Sequence, residues 1–272
     1  MKHRPLYYLI GIFGIGMFLL WIFVIPGSNY GQRAQVNDFD LAGGPEREGR
    51  GFPQREIIDL ASEYPDVFFR FGSNEKKLIA LTFDDGPDDL FTPQILDVLK
   101  EHEVPATFFV VGRRCELFPE VLKRMASEGH IIGNHTWSHP NIIKLSNDKV
   151  IEELKQTDEI INRLAGYIPI LFRSPYGSMD REKVELVAKR GYKHIAWSVD
   201  SLDWKGLSAE EVKTNILENV IEGSIILQHS AGGVGEDLSG TIKALSDIIK
   251  VLKKDGYEFT TIDKLLGLPY KK

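Results

Sequence analysis

Cysteine is almost absent. Cys115 is the single one in 272 residues, so no intramolecular disulfide can form, and its setting in Gly112-Arg113-Arg114-Cys115-Glu116 matches no metal-binding spacing. Positive charge is in deficit as well: a formal net charge of −6 supplies no basic stripe, which excludes nucleic acid as a partner. No internal repeat is present. Long uncharged apolar runs are missing except at Leu6 to Ile25, which Lys2, His3 and Arg4 precede.

As a helix that run would be about 30 Å long, the thickness of a bilayer's hydrocarbon core. It exceeds the apolar region of a cleaved signal peptide, and Val24-Ile25-Pro26-Gly27-Ser28 holds no Ala-x-Ala-like site, so a retained anchor is expected. The basic residues before it keep the N-terminus in the cytoplasm and send the remainder outside. The expectation is a single-pass protein of a bacterial cell membrane with its globular part extracellular. Residues 1–26 form the tip and anchor. Residues 27–74 form a stalk rich in Gly, Arg, Glu and Gln with a domain-edge segment that includes a short helix, and residues 75–272 form the folded domain.

From Leu78 onward short β-rich runs alternate with helical patterns. The runs are 78–83, 107–111, 131–134, 170–173, 194–199, 224–228 and 258–261. Thr92-Pro93 reads as a helix start and Ser208 with Glu211 as a capping box, while Gly129, Gly166, Gly191 and Gly256 fall where helices should end. Seven strands, each followed by a helix or long loop, predict a parallel α/β fold. Unusual polar residues follow five of them: Asp84-Asp85, His135 with His139, Arg173 to Gly177, Asp200 to Trp204, and His229. Only a barrel opens every strand's carboxyl end onto one face, so a distorted (β/α) barrel of about seven parallel strands is expected.

Two adjacent carboxylates repel and resist burial, so Asp84-Asp85 in Thr82-Phe83-Asp84-Asp85-Gly86-Pro87 needs a reason beyond the hairpin turn that Asp-Gly often marks. A divalent metal beside a water that must lose a proton is such a reason. His135 and His139, four residues apart, would present two nitrogens on one helical turn, and Asp85 completes a His-His-Asp set that leaves tetrahedral zinc one open position. Asp84 is then the candidate general base, with Arg173 holding it ionised. His229 is the candidate general acid, with Asp200 keeping its imidazole protonated. Hydrolysis of an amide or ester is the chemistry these groups fit. His3, His102, His130 and His194 lack such company and read as structural or exposed.

Thr82–Pro87, His135–Pro140, Arg173–Gly177, Asp200–Trp204 and Leu227-Gln228-His229, in that order, resemble the five motifs of the polysaccharide deacetylases, carbohydrate esterase family 4, across roughly Leu78 to Leu266. The resemblance implies a distorted barrel, one divalent metal held by Asp85, His135 and His139, and zinc as the expected ion with cobalt or nickel as alternatives. It implies Asp84 as base tuned by Arg173, His229 as acid tuned by Asp200, and the Tyr176 backbone N–H as an oxyanion donor. Trp204, Leu227 and Pro175 would shape the acetyl pocket, and Pro175 matches a proline that is hydroxylated at its α-carbon in part of the family. Ser174 stands where many members have Pro. A tethered enzyme with a short stalk works near the membrane, so the expected substrate is N-acetylglucosamine in cell-wall peptidoglycan. Alternatives are a chitin-oligosaccharide or muramic-acid deacetylase, a xylan-type O-acetyl esterase, and a non-catalytic wall-binding protein, against which the full carboxylate and histidine set argues. A monomer is expected.

Overall fold

A computed structural model describes residues 59–233 and 235–272; the anchor expected at Leu6 to Ile25 and most of the stalk lie outside the described residues. Among the described residues no helix is long and apolar enough to cross a membrane. The strands there are β1 (Phe68–Phe69), β2 (Leu78–Asp84), β3 (Thr107–Val110), β4 (Ile131–Asn134), β5 (Leu171–Phe172), β6 (Lys193–Ile195), β7 (Val199–Asp200), β8 (Ile225–His229) and β9 (Glu258–Phe259). They form one sheet in the order β1-β6-β5-β4-β3-β2-β8-β7, with β9 added to β2, and every strand pair is parallel.

The two faces of β2 show how the sheet is used. Side chains alternate along a strand, so Ile79, Leu81 and Phe83 share one face and Ala80, Thr82 and Asp84 the other. Ile79, Leu81 and Phe83 pack under helices α2 (Phe91–Glu101) and α8 (Ser239–Lys254), together with Ile95, Leu96, Ile248 and Ile249. Ala80 instead joins Phe109, Leu171, Ile195 and Ile225 against Ile262 and Leu265 of α9 (Ile262–Leu266). That inner face is therefore apolar at its lower end and turns polar at Thr82 and Asp84, toward the carboxyl ends of the strands.

Three expectations change. The run 194–199 is not one strand: the Ala196 N–H bonds Phe69 O beside β1, whereas the Ser198 N–H bonds Ile225 O beside β8. The chain changes partner within two residues and thereby crosses the opening between the sheet's two ends, β6 lying near one and β7 forming the other. An antiparallel bridge between Phe71 and Ser224 spans the same opening. Second, α2 starts at Phe91, ahead of the expected Thr92 cap. The Asp88 carboxylate accepts from the N–H groups of Leu90, Phe91 and Thr92, so the cap lies upstream. Third, the domain-edge segment supplies both a short helix, α1 (Leu60–Glu63), and β1, which joins the sheet. The Ser208–Glu211 capping box is present at α7 (Ala209–Leu217), and Gly129, Gly166, Gly191 and Gly256 all take positive φ. Cys115 is buried with its thiol on Val111 O, as suits a packing residue.

Candidate active site

The polar strand ends converge. Asp84 closes β2 and Asp85 follows it in the left-handed region, φ 70°, which carries its side chain away from the strand's alternation. Thr136 and His139, in the loop after β4, Tyr176 after β5 and Leu202 after β7 also have φ between 57° and 70°. Such backbone costs about 1–3 kcal/mol at a non-glycine residue and persists only where the surroundings impose it. Of the six such non-glycine residues among the described residues, five fall in four of the site loops.

Asp85, His135 and His139 are buried, and one ligand atom from each lies within 4.8 Å of the others. Asp85 Oδ1 is 3.4 Å from His135 Nε2 and 3.2 Å from His139 Nε2. The ring tautomers decide whether this arrangement suits a cation. His135 Nδ1 is 2.7 Å from the carbonyl oxygen of Arg173, which can only accept, so Nδ1 carries the hydrogen and Nε2 presents a lone pair. At His139 the Tyr176 hydroxyl donates to His139 O at 3.1 Å and so receives Nδ1–H, also at 3.1 Å, which leaves Nε2 as a lone pair again. Neither Nε2 has a hydrogen-bond partner among the described residues. Two fixed imidazoles and a carboxylate directed at one point fit a divalent cation and suit zinc's preference for nitrogen and oxygen donors. Burial first, then the charges of His135 and His229, hold His139 well below the usual imidazole pKa. At His135 burial acts the same way, but Asp84 and Asp85 outweigh it and the net direction is upward.

Asp84 lies beside this cluster, its Oδ2 3.8 Å from His135 Nε2, and its Oδ1 accepts from Arg173 Nη1 at 2.8 Å. Arg173 is fully buried. Nη1 also reaches Thr82 Oγ1, Nε donates to Ile195 O and Nη2 to Ala196 O. Burial lowers its pKa against the opposing Asp84 charge. β2 and β8 are in register with Asp84 opposite His229, which puts the candidate base and acid on neighbouring strands, roughly 5 Å apart in backbone.

The expected partner of His229 is corrected. His229 Nδ1 is held by Asp203 Oδ1 at 2.7 Å, and Asp203 Oδ2 takes both the His229 N–H and the Thr241 hydroxyl. Asp200 instead accepts from the Leu202 N–H. Leu202, between the two aspartates, has left-handed backbone, and Asp203, three residues beyond Asp200, is the carboxylate that meets His229. Burial raises the Asp203 pKa, but the His229 charge and its hydrogen bonds outweigh that and leave the carboxyl below the usual range.

The acetyl-pocket candidates Pro175, Trp204 and Leu227 are all buried, Pro175 in a short 3-10 turn (Pro175–Gly177) and Trp204 in another (Asp203–Lys205). Leu227 is opposite Asp200 and Thr82 in the sheet. The structure adds a residue that sequence reasoning missed. Glu153, on α5 (Asn147–Ala165), accepts from the backbone N–H groups of Trp137 and Ser138 at 2.9 and 2.7 Å and from the Ser138 hydroxyl at 2.8 Å, clamping the loop between the two histidines. Asn134 assists by accepting from the Thr136 N–H. His130 and His194 are buried and structural. His130 Nδ1 accepts from the Ala106 N–H, and His194 Nε2 meets Ser174.

The family profile described as polysaccharide deacetylase matches residues 71–195. A peptidoglycan-N-acetylglucosamine deacetylase of Bacillus cereus is 47% identical over 194 residues, 71% of this chain and 70% of that protein. The peptidoglycan-N-acetylglucosamine deacetylase PgdA of Listeria monocytogenes is 41% identical over 244 residues, covering 89% of this chain and 48% of its own length, so the chain spans about half of that relative. A solved peptidoglycan N-acetylglucosamine deacetylase, in complex with 4-naphthalen-1-yl-N-oxidanyl-benzamide, aligns with a TM-score of 0.75 at 43% identity over 78% of this chain and 98% of the other.

Proposed function

The chain belongs to the polysaccharide deacetylase family, carbohydrate esterase family 4, and from that premise we propose that it hydrolyses the N-acetyl groups of N-acetylglucosamine residues in cell-wall peptidoglycan. One observation carries the reading. The Asp85–His135–His139 cluster adjoins an Arg173-paired Asp84, and an Asp203-paired His229 stands on the next strand.

Each residue then has a step. Asp85, His135 and His139 would hold a divalent cation, zinc by their donor set, which when bound would supply Lewis-acid chemistry. Asp84 takes the proton of the attacking water; its other oxygen stays on Arg173, which keeps the carboxylate aimed. The Tyr176 backbone N–H, in a turn whose φ is left-handed, would stabilise the developing oxyanion. His229, with Nδ1 held by Asp203, delivers a proton from Nε2 to the departing amine. Leu227 and Trp204 enclose the methyl group.

Location belongs to the same proposal. If Leu6 to Ile25 is a retained anchor, the stalk of about thirty residues gives a mean reach near 30 Å from the membrane, within the inner wall. Protease applied to wall-stripped cells should release an active soluble fragment, and protection of the domain would reverse the orientation. The chemistry is tested by acetate release from purified peptidoglycan and from chitin oligomers, with and without chelator. Acetate should appear from both and stop with chelator. Release confined to muramic acid would keep the family and change the sugar.

A further inference from the structure

A cavity of about 600 Å³ opens where the sheet's two ends fail to meet, beside the site already described. Tyr176 and Gly177 form part of its wall, so it is continuous with the acetyl-binding loop. Phe68, Arg70, Trp197, Asp200, Asn215 and Asn219 supply its chemistry. The size falls within the range of small-ligand sites. Trp197 is fixed: a Cβ added to Gly177, which has φ 62°, would meet its ring at 2.8 Å. It lines the cavity with the Arg173 guanidinium 5.7 Å over its ring, and so offers a held aromatic ring against which a pyranose packs its C–H groups. The side-chain amides of Asn215 and Asn219 donate to Ser201 O and Asn215 O, leaving their oxygens as acceptors for sugar hydroxyls.

Arg70 is the informative residue. Its guanidinium sits 5.6 Å over the Phe68 ring and makes no hydrogen bond or ion pair among the described residues, in a chain of net charge −6. Asp200 lines the same cavity, so the wall is not uniformly cationic. It offers a carboxylate that suits hydroxyl donors and a guanidinium that suits an anion. A neutral sugar would use the first and leave the second idle. Guanidinium and carboxylate match in geometry and form strong, charge-assisted hydrogen bonds.

We propose that this cavity is a subsite for the acidic ring next to the one being deacetylated, with Trp197 under the pyranose and Arg70 on its carboxylate side arm. The inference rests on the deacetylase reading and extends it: the enzyme reads the alternating acidic glycan, not merely an acetamide. The side arm is a lactyl ether in the bare glycan and is extended by a peptide in the intact wall, and both can present a carboxylate.

The full-length zinc-loaded protein is assayed on three tetrasaccharides of alternating N-acetylglucosamine and N-acetylmuramic acid: with free lactyl carboxylates, with those carboxylates amidated, and with peptide attached. Wild type should favour a carboxylate-bearing form over the amidated one by about tenfold in kcat/KM. Arg70→Gln should erase that preference. A preference shown only by the peptide-bearing form would support the subsite and place the anion in the peptide. Equal rates on all three in wild type, or an equal loss on all three in Arg70→Gln, would overturn the inference while leaving the deacetylase reading intact. No acetate from any of them would overturn both.

Discussion

Replacing Asp203 by Asn preserves the side chain's volume but removes the charge facing His229 Nδ1. A positioned general acid contributes about 10²–10⁴-fold, so Asp203→Asn should cut kcat at least about a hundredfold and move the alkaline limb of its pH profile downward. Asp200→Asn should leave that limb in place, since Asp200 bonds the Leu202 N–H instead. Steady-state rates across pH separate the two carboxylates. His135→Ala and His139→Ala should each release the metal, measured as bound zinc per protein, and abolish turnover. Pro175 is the matching position for α-carbon hydroxylation, and the intact mass of a peptide spanning it decides the matter, one extra oxygen being the positive result. Most of the site is legible in the sequence because Asp84, Asp85, His135, Arg173 and His229 each end or directly follow an apolar strand, and His139 stands four residues past His135. Asp203 is not, because two aspartates share one loop, with the left-handed Leu202 between them, and the sequence does not choose between them. Glu153 is one acid among several on a polar helix, and nothing local marks it as facing a loop instead of water.

At the level of elements, α5 supports the metal loop through Glu153. Glu153→Gln keeps one carbonyl oxygen and loses the charge; losses of about 10–100-fold in metal affinity are usual for such supporting residues. Zinc titration with an indicator should show that weakening while circular dichroism stays native. The turn joining α4 (Pro119–Ser127) to β4 carries a pH response. Burial lowers the His130 pKa to about 4, while its Nδ1 accepts from Ala106 N–H. The unfolded chain binds a proton near pH 6.5 that the folded chain resists, so this contribution is complete above about 6.5 and is lost as pH falls toward 4. The loss is on the order of 3 kcal/mol once pH falls below about 4, and His130→Gln should flatten the stability-against-pH curve in that window. The fold itself is legible wherever a strand is a mostly apolar run, as Leu78–Phe83 is, and wherever a helix ends on glycine. The division of 194–199 into two strands is invisible, because His-Ile-Ala-Trp-Ser-Val reads the same whichever neighbour each residue bonds. The two-residue strand β1 gives too short a pattern to detect.

For the molecule as a whole, the most consequential group is the Arg173 guanidinium. It ties Thr82 and Asp84 on β2 to the carbonyl groups of Ile195 and Ala196, where the chain leaves β6. Arg173→Met would strand a buried carboxylate, a change that typically costs about 3–5 kcal/mol, and chemical denaturation of the variant should show it. The same bonds hold the catalytic base in line and the sheet's edge in place. Denaturant should therefore not separate the two: in urea, activity and far-ultraviolet ellipticity should fall with one midpoint. Against heat or denaturant such an enzyme wears out all at once, and its working lifetime is set by how often the whole domain unfolds.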